Sequence, residues 1–568
     1  MFNEMSRMIF SVMNREVIKK TIIISICYVF SLMVFFRYQI LNHFNLVFSD
    51  TYDGFIEISI LEHWNNVFSG ASAWSSVNYF YPDKMAIGYN DGYFLYGIIY
   101  SIYRKFGLDP IVSSELVNFS TRSVGFFLFY VACRKILNVE WGWSVLGAVI
   151  FTLCNSVYLH MVHQQLASVS FVPGMAILVN VMICEFYNKR RFLFFCWGGI
   201  FVVFYAAWLM TAFYMAWFLF FFTSLFVLLW LGTSSFARWR EVGVSVRRQA
   251  LPLSAIAVLS VVVNIPFLLV YLPKANQTGM HEYKTVMEFS PSLFDVINVG
   301  RGNVFYGKVM GLFYEHFREG RAEFNERTTG VALIILATFF ISFVFSIKHP
   351  RDSGKKLILM YIVTVATWIS TLHVGKYSLY FVVFDFFPGA KALRAIGRYQ
   401  IFLMVPVIGL SVQFLSRHAK RMPRWLALML PFFLVGEQIN TDPILRINRP
   451  VEMARLSSLS VPPKRCEAFY ASEDDPKEGY LSPRLDGIYR HSVVAMLIAE
   501  IYKIPTVNGY ATFIPPNYDL FFPAQADYRD RLRAYVESRG IHGPVCGLDL
   551  RLMEWMPEAS DVSASSAQ

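Results

Sequence analysis

Thr21-Ile-Ile-Ile-Ser-Ile-Cys-Tyr-Val-Phe-Ser-Leu-Met-Val-Phe-Phe-Arg-Tyr-Gln-Ile-Leu41, followed after a short break by Phe48-Ser-Asp-Thr-Tyr-Asp-Gly54, is the stretch on which the fold turns. The first part is long enough to cross a bilayer, for which about 20 apolar residues suffice. The second sets two carboxylates, Asp50 and Asp53, where the chain leaves the membrane. Charge at that boundary is costly unless it caps, binds or reacts with something. Residues 1–20 are polar and basic, and no small-residue cleavage site follows the apolar run. The run therefore reads as a signal anchor.

Composition extends this reading to the whole chain. Of 568 residues, 55% are hydrophobic and only 16% charged, with 54 Phe and 31 Tyr. That excess of apolar surface belongs to an all-α polytopic membrane protein. The net charge of +11 does not point to nucleic acid, because the basic residues cluster in short loops, where they set topology.

Eleven runs are long enough to cross, near 21–41, 111–133, 141–159, 166–187, 192–209, 211–231, 251–272, 331–347, 357–373, 398–416 and 424–440. The fifth and sixth form one block divided only near Thr211. With Arg7, Arg15, Lys19 and Lys20 inside, every second loop should be basic. Those loops carry Arg134-Lys135, Lys189 to Arg191, Arg238 to Arg248, Lys348 to Lys356 and Arg417 to Arg424, while 160–165 and 209–211 hold no Lys or Arg. An odd count places the C-terminus outside. The outside loops 42–110 and 273–330 and everything after about 440 are then extracytoplasmic. Tyr93–Tyr103 and Tyr377–Phe387 are too short to cross and read as interfacial pieces. Residues 54–68 carry Phe55, Ile58, Leu61, Trp64 and Phe68 at helical spacing, so the first outside loop is expected as short helices lying on the membrane.

Residues 1–440 thus form the transmembrane domain and 441–568 a small outside α/β domain. In the latter, Cys466 to Tyr470 and Thr506 to Thr512 read as strands, His491 to Tyr502 as an amphipathic helix, and the residues after Ala559 as a disordered tail. Cys27, Cys133, Cys154, Cys184 and Cys196 lie in or at the ends of spans; only Cys466 and Cys546 fall in the outside tail. Paired thiols persist in an oxidising compartment, so these two are expected to form a disulfide.

Asp50 and Asp53 read either as helix caps or as a general base or cation anchor at a membrane cleft. Tyr81, within Asn78-Tyr-Phe-Tyr-Pro-Asp-Lys84, suits a sugar platform or an aromatic belt. Asp91 is a secondary acidic candidate. His160 and His163 are three apart in a short outside turn, with no third metal ligand nearby, and read as donors at a polar pocket or simply as loop residues. Lys376, Arg394 and Arg398 place positive charge outside, where topology does not call for it. At a spacing of four, the two arginines would share a helix face and could grip a phosphate.

Ser49-Asp-Thr-Tyr-Asp-Gly54, His63-Trp64, Gly70 to Trp74 and Tyr79-Phe-Tyr-Pro82 resemble the first outside loop of bacterial GT-C-type integral membrane glycosyltransferases. Pro388-Gly389, Leu393-Arg394 and Gly397-Arg398 resemble a late loop of the same group. The resemblance implies an enzyme of the bacterial inner membrane that takes a sugar from a polyprenyl-phosphate donor. Transfer, with inversion, would be to a glycan, lipid or protein acceptor outside the cytoplasm. An Asp of the first loop, here Asp50 or Asp53, would be the base, and Arg394 and Arg398 would meet the donor phosphate. A divalent cation is an alternative for part of the arginines' role, and no organic cofactor is implied. The adjacent acidic pair common in that group is missing, so the choice between Asp50 and Asp53 stays open.

Two other readings compete. A lipid-linked saccharide polymerase or ligase would use an Arg-rich outside loop, and 273–330 carries Arg301, Arg318, Arg321 and Arg327. A flippase or transporter would place ionisable residues at mid-span. The spans read as nearly free of charge, with Glu185 and Glu437 towards their ends.

Overall fold

The structure is a computed structural model that describes residues 2–317, 325–472 and 483–563. It is mostly helical. Among the described residues, eight helices are long and apolar enough to cross a membrane: Arg15–Phe35, Pro110–Lys135, Trp141–Leu159, Gln164–Tyr187, Arg191–Leu209, Phe213–Gly232, Ala250–Thr278 and Ile396–Arg421. The other three expected spans are shorter helices: Leu333–Lys348 with 16 residues, Lys355–Thr371 with 17 and Arg424–Gly436 with 13. At about 1.5 Å per residue, none of the three reaches ~30 Å of hydrocarbon by itself.

The divide between the fifth and sixth spans falls at Met210–Ala212. The first outside loop occupies that break. Tyr93 N donates to Thr211 O at 3.2 Å, and Leu95 N to Thr211 Oγ1 at 2.9 Å.

Charge within the spans is greater than the hydropathy pattern suggests, because Glu115 and Arg122 lie buried in the Pro110–Lys135 helix. Glu115 accepts from Gln39 at 2.8 Å and Asn118 at 3.2 Å. Arg122 donates to Phe151 O, to Thr152 O at 2.8 Å and to Ser170 Oγ at 3.1 Å. Those carbonyls end the Trp141–Leu153 helix, where the last turn lacks amide partners. Arg122 is a built-in C-terminal cap, not a residue of an ion path.

The segment 42–110 is built of short helices as expected, but the first of them is not a surface helix. The segment begins with strand β1, Leu46–Phe48, then turns into the helix Asp53–Phe68, in which nearly every residue from Gly54 to Asn66 is buried. Its apolar face packs as the spacing predicts. Its polar face is buried too, because each group there meets a partner. Glu57 accepts from Gln164 N at 2.9 Å and Tyr93 OH at 3.0 Å, and Glu62 from Tyr100 OH at 2.6 Å and Arg104 Nε at 2.9 Å. Asn66 Nδ2 donates to Glu500 O at 2.8 Å. Against it packs the helix Phe94–Lys105, brought close at Gly97, where any Cβ would run into Trp64. That second helix exposes Ile98 and Ile102 on its other side, with Phe106 exposed just beyond its end, as an interfacial helix should. Strands β2, His373–Val374, and β3, Tyr377–Ser378, form a hairpin ahead of the short helix Tyr380–Phe386.

The C-terminal part is fastened to this loop at many points. Strand β4, Leu445–Asn448, pairs antiparallel with β1. Strands β5, Ala468–Ala471, and β6, Val545–Asp549, are parallel, and β7, Glu554–Trp555, runs antiparallel to β6. Cys466 and Cys546 are disulfide-bonded, with Cα atoms 5.6 Å apart. The expected amphipathic helix is longer and buried along most of its length; it spans Pro483–Tyr502 and packs on Asp53–Phe68. The run 506–512 is not a strand. Thr506 bridges β5, but the segment's other edge bonds to the first loop, with Thr506 N on Asn78 O and Phe80 N on Asn508 O. The chain stays ordered past Ala559, because Val562 exchanges both backbone hydrogen bonds with Val545. The final residues 564–568 lie outside the described residues.

Candidate active site

Ser49 takes a positive φ of 78° and donates its hydroxyl to Val162 O at 2.8 Å, turning the chain out of β1. Asp50 follows, and one oxygen, Oδ1, accepts from Tyr52 N at 3.0 Å and Asp53 N at 2.9 Å. That is a capping arrangement at the start of the Asp53–Phe68 helix. Burial, and then the neighbouring Asp53 charge, push the Asp50 carboxyl above its usual range.

Asp53 is differently placed. Its side chain is 33% exposed. Tyr489 OH donates to Oδ1 at 3.2 Å, and His163 Nδ1 stands 3.5 Å from Oδ2. The opposite ring nitrogen, His163 Nε2, lies 3.1 Å from Glu326 Oε1. Glu326 in turn holds Arg398 through two bonds, one of them Nε to Oε2 at 2.9 Å. Burial alone would raise Glu326, but Arg398 and His163 override it and hold the carboxyl well below its usual range. The Arg398 guanidinium also lies 5.2 Å over the ring of Tyr214.

Arg394 and Arg398 do not share a helix face. Pro388 and Gly389 open a sequence of 3₁₀ turns, Ala390–Ala392 and Ile396–Arg398, with Leu393 extended between them. Arg398 points inward and is 6% exposed, closed off by Glu326. Arg394 faces outward, its guanidinium 5.0 Å over Phe289 and its amide donating to Tyr214 OH at 2.8 Å. Of the two, Arg394 is the one a phosphate can reach. Lys376 is exposed at the tip of the β2–β3 hairpin.

Asp53 accepts from Tyr489 OH, and the charges of Asp53 and Arg394 are both felt at Tyr489 and Tyr510. Those two rings lie 3.7 Å apart between centroids. Neither they nor Glu326 carry a local sequence signal. Tyr489 sits inside a helix, and Glu326 is one of seven acids in a loop, 273–330, that carries as many basic residues. Only the fold brings them to Asp53.

The remaining candidates separate. Asp91 accepts from Phe213 N at 2.8 Å, capping the sixth span, and burial raises it to about 6. His160 is buried, with Nδ1 on Ser156 O at 2.8 Å; burial lowers it to about 4. Tyr81 is a docking residue, not a platform. Its hydroxyl donates to Glu467 at 2.6 Å and its carbonyl accepts from Tyr535 OH at 3.0 Å. Arg301 lies over Tyr314, and Arg327 donates to Glu288 O at 2.9 Å. Arg318 and Arg321 lie outside the described residues. Among the described residues no three His, Cys, Asp or Glu side chains converge as metal ligands.

An apolar groove of about 580 Å³ opens elsewhere on the protein, lined by Phe94, Leu95, Phe195, Ile200, Val203 and Leu259 among others. It runs between the interfacial helix Phe94–Lys105 and the spans Arg191–Leu209 and Ala250–Thr278. No protein-family model matches the chain, and a search of curated proteins found none that matches it.

Proposed function

We propose that the protein is a membrane glycosyltransferase that moves a sugar from a polyprenyl-phosphate donor to an acceptor hydroxyl outside the cytoplasm, with Asp53 as base. One observation carries the reading. Asp53 keeps a solvent-reachable carboxylate whose charge is felt at the same tyrosine pair as that of the outward-facing Arg394, whereas Asp50 is committed to capping. In the reaction, the acceptor oxygen attacks the anomeric carbon from the face opposite the phosphate, which inverts that centre. Its proton passes to Asp53. The carbon–oxygen bond to phosphate breaks and the electron pair leaves on the lipid phosphate. A cation facing that oxygen stabilises the developing charge, which is the part assigned to Arg394. The apolar groove suits the donor's hydrocarbon chain.

Eleven spans with the N-terminus inside and the C-terminus outside put this site on the outer face of a bacterial inner membrane. The loop charges support that orientation, as does the Cys466–Cys546 disulfide, which is at home in an oxidising compartment. The test replaces Asp53 by Asn and reads surface glycans by mass spectrometry. Loss of a base costs about 10²–10⁴ in rate, so the product should disappear while the folded protein remains. An unchanged glycan profile in the Asp53→Asn strain would refute the assignment.

A further inference from the structure

We propose that His163 is a positioning residue, which holds Asp53 in register with the arginine loop and neither binds substrate nor takes the acceptor's proton. The proposal rests on the glycosyltransferase reading for what Asp53 does, but on geometry alone for what His163 does.

Both ring nitrogens of His163 face a carboxylate. Nδ1 stands 3.5 Å from Asp53 Oδ2, and Nε2 is hydrogen-bonded with Glu326 Oε1 at 3.1 Å. A carboxylate oxygen only accepts, so a ring nitrogen meets it by donating an N–H. The ring therefore stands as a strut between two acids. Behind it, Glu326 is held by two bonds from Arg398, a geometry that fixes the plane of both groups. Arg398 is held in turn against the Tyr214 ring, and the Tyr214 hydroxyl accepts from the amides of Arg394 and Ala395.

The result is a row of alternating acidic and basic side chains, Asp53, His163, Glu326 and Arg398, drawn from four separate segments. It starts at the base and ends on the loop that carries Arg394. A carboxylate on two rotatable bonds needs such support, since a displacement of about 1 Å at a reacting group can cost roughly a hundredfold in rate. Tyr489 OH holds the other oxygen of Asp53. The Asp53 side chain is still 33% exposed, which leaves room for an acceptor hydroxyl to approach.

The test has an arm that needs no turnover. With ¹⁵N-labelled histidine in the full-length protein in nanodiscs, the His163 signals are assigned by their loss in His163→Asn. Asp53→Asn should shift the Nδ1 resonance and Glu326→Gln the Nε2 resonance. If neither nitrogen responds, the strut does not exist. The kinetic arm compares His163→Ala with His163→Asn, whose amide can still donate towards Asp53. His163→Ala should lower kcat about a hundredfold with donor KM unchanged, and His163→Asn should recover most of it. A donor KM that rises in His163→Ala, with kcat unchanged, would make His163 a substrate ligand and overturn the proposal. Shifted resonances in a wild-type protein that transfers no sugar would leave the strut standing and remove the transferase reading instead.

Discussion

The Asp50 oxygen that accepts two amide protons is directed into the helix start, so replacing Asp50 tests a cap and replacing Asp53 tests a base. Asn caps as well as Asp. Asp50→Asn should therefore leave both stability and transfer near wild type, while Asp50→Ala should cost about 1 kcal/mol, read as a shift in thermal midpoint. The two arginines divide in the same way. Arg394→Ala should weaken donor binding tenfold or more, because a charge-assisted bond is worth about 1.5–3 kcal/mol, with little change in melting. Arg398→Ala strands Glu326 as a buried charge and should destabilise the fold by about 3–5 kcal/mol. Equal effects of the two on donor binding alone would show that both reach the phosphate. The sequence marks Asp53 and Arg394 because each is a charge out of place, one at a span exit and one on the side where topology calls for none. It cannot tell Arg394 from Arg398, because that distinction lies in the turns between them. It is silent on Glu326 and Tyr489, whose roles come from contacts across hundreds of residues.

The helix Asp53–Phe68 was legible as a helix, since its apolar spacing is regular, but not as a buried one. What buries its polar side comes from elsewhere in the chain, from the neighbouring helix Phe94–Lys105 and from the distant helix Pro483–Tyr502. At that contact Glu500 accepts from Asn66 Nδ2 at 3.1 Å and Asn78 N at 2.8 Å, and its oxygen stands 3.8 Å from His63 Nδ1. Burial raises Glu500 from 4.5 to about 7. A raised acid binds its proton more tightly folded than unfolded, so its stabilisation is complete below about 4.5 and is lost as pH climbs towards 7. His63, lowered by burial from 6.5 to about 4, acts the other way, and its share is lost as pH falls through that window. The difference in denaturation midpoint between wild type and Glu500→Gln isolates the first effect. Wild type should lose ground to the variant from pH 5 to pH 7, by at most about 1.4 kcal/mol per pH unit. A difference flat across that range would mean that Glu500 stays charged in the folded protein. The 506–512 segment shows the same limit on the reading. Its composition favours a strand, yet one of its edges is taken by Asn78–Tyr81.

For the molecule as a whole, the helical membrane class follows from hydropathy, because it is a sum over many residues; the side on which the site lies is proposed from loop charge. The number of crossings does not follow as simply, since three of the apolar runs fold into helices of only 13 to 17 residues. The disulfide closes a loop of 80 residues. Replacing Cys466 and Cys546 together by Ser should cost about 4 kcal/mol by chain entropy. Limited proteolysis should then cut the C-terminal part first, and an unchanged digestion pattern would count against the bond. The fastening of the first loop to the last hundred residues also sets a timetable. Asp53 and the hydroxyl that supports it are 436 residues apart. At about 5–20 residues per second, the ribosome makes the second roughly 20–90 s after the first. Through that interval the nascent chain displays a loop whose helix still lacks its cover, and Asp53 lacks the hydroxyl that supports it in the finished protein.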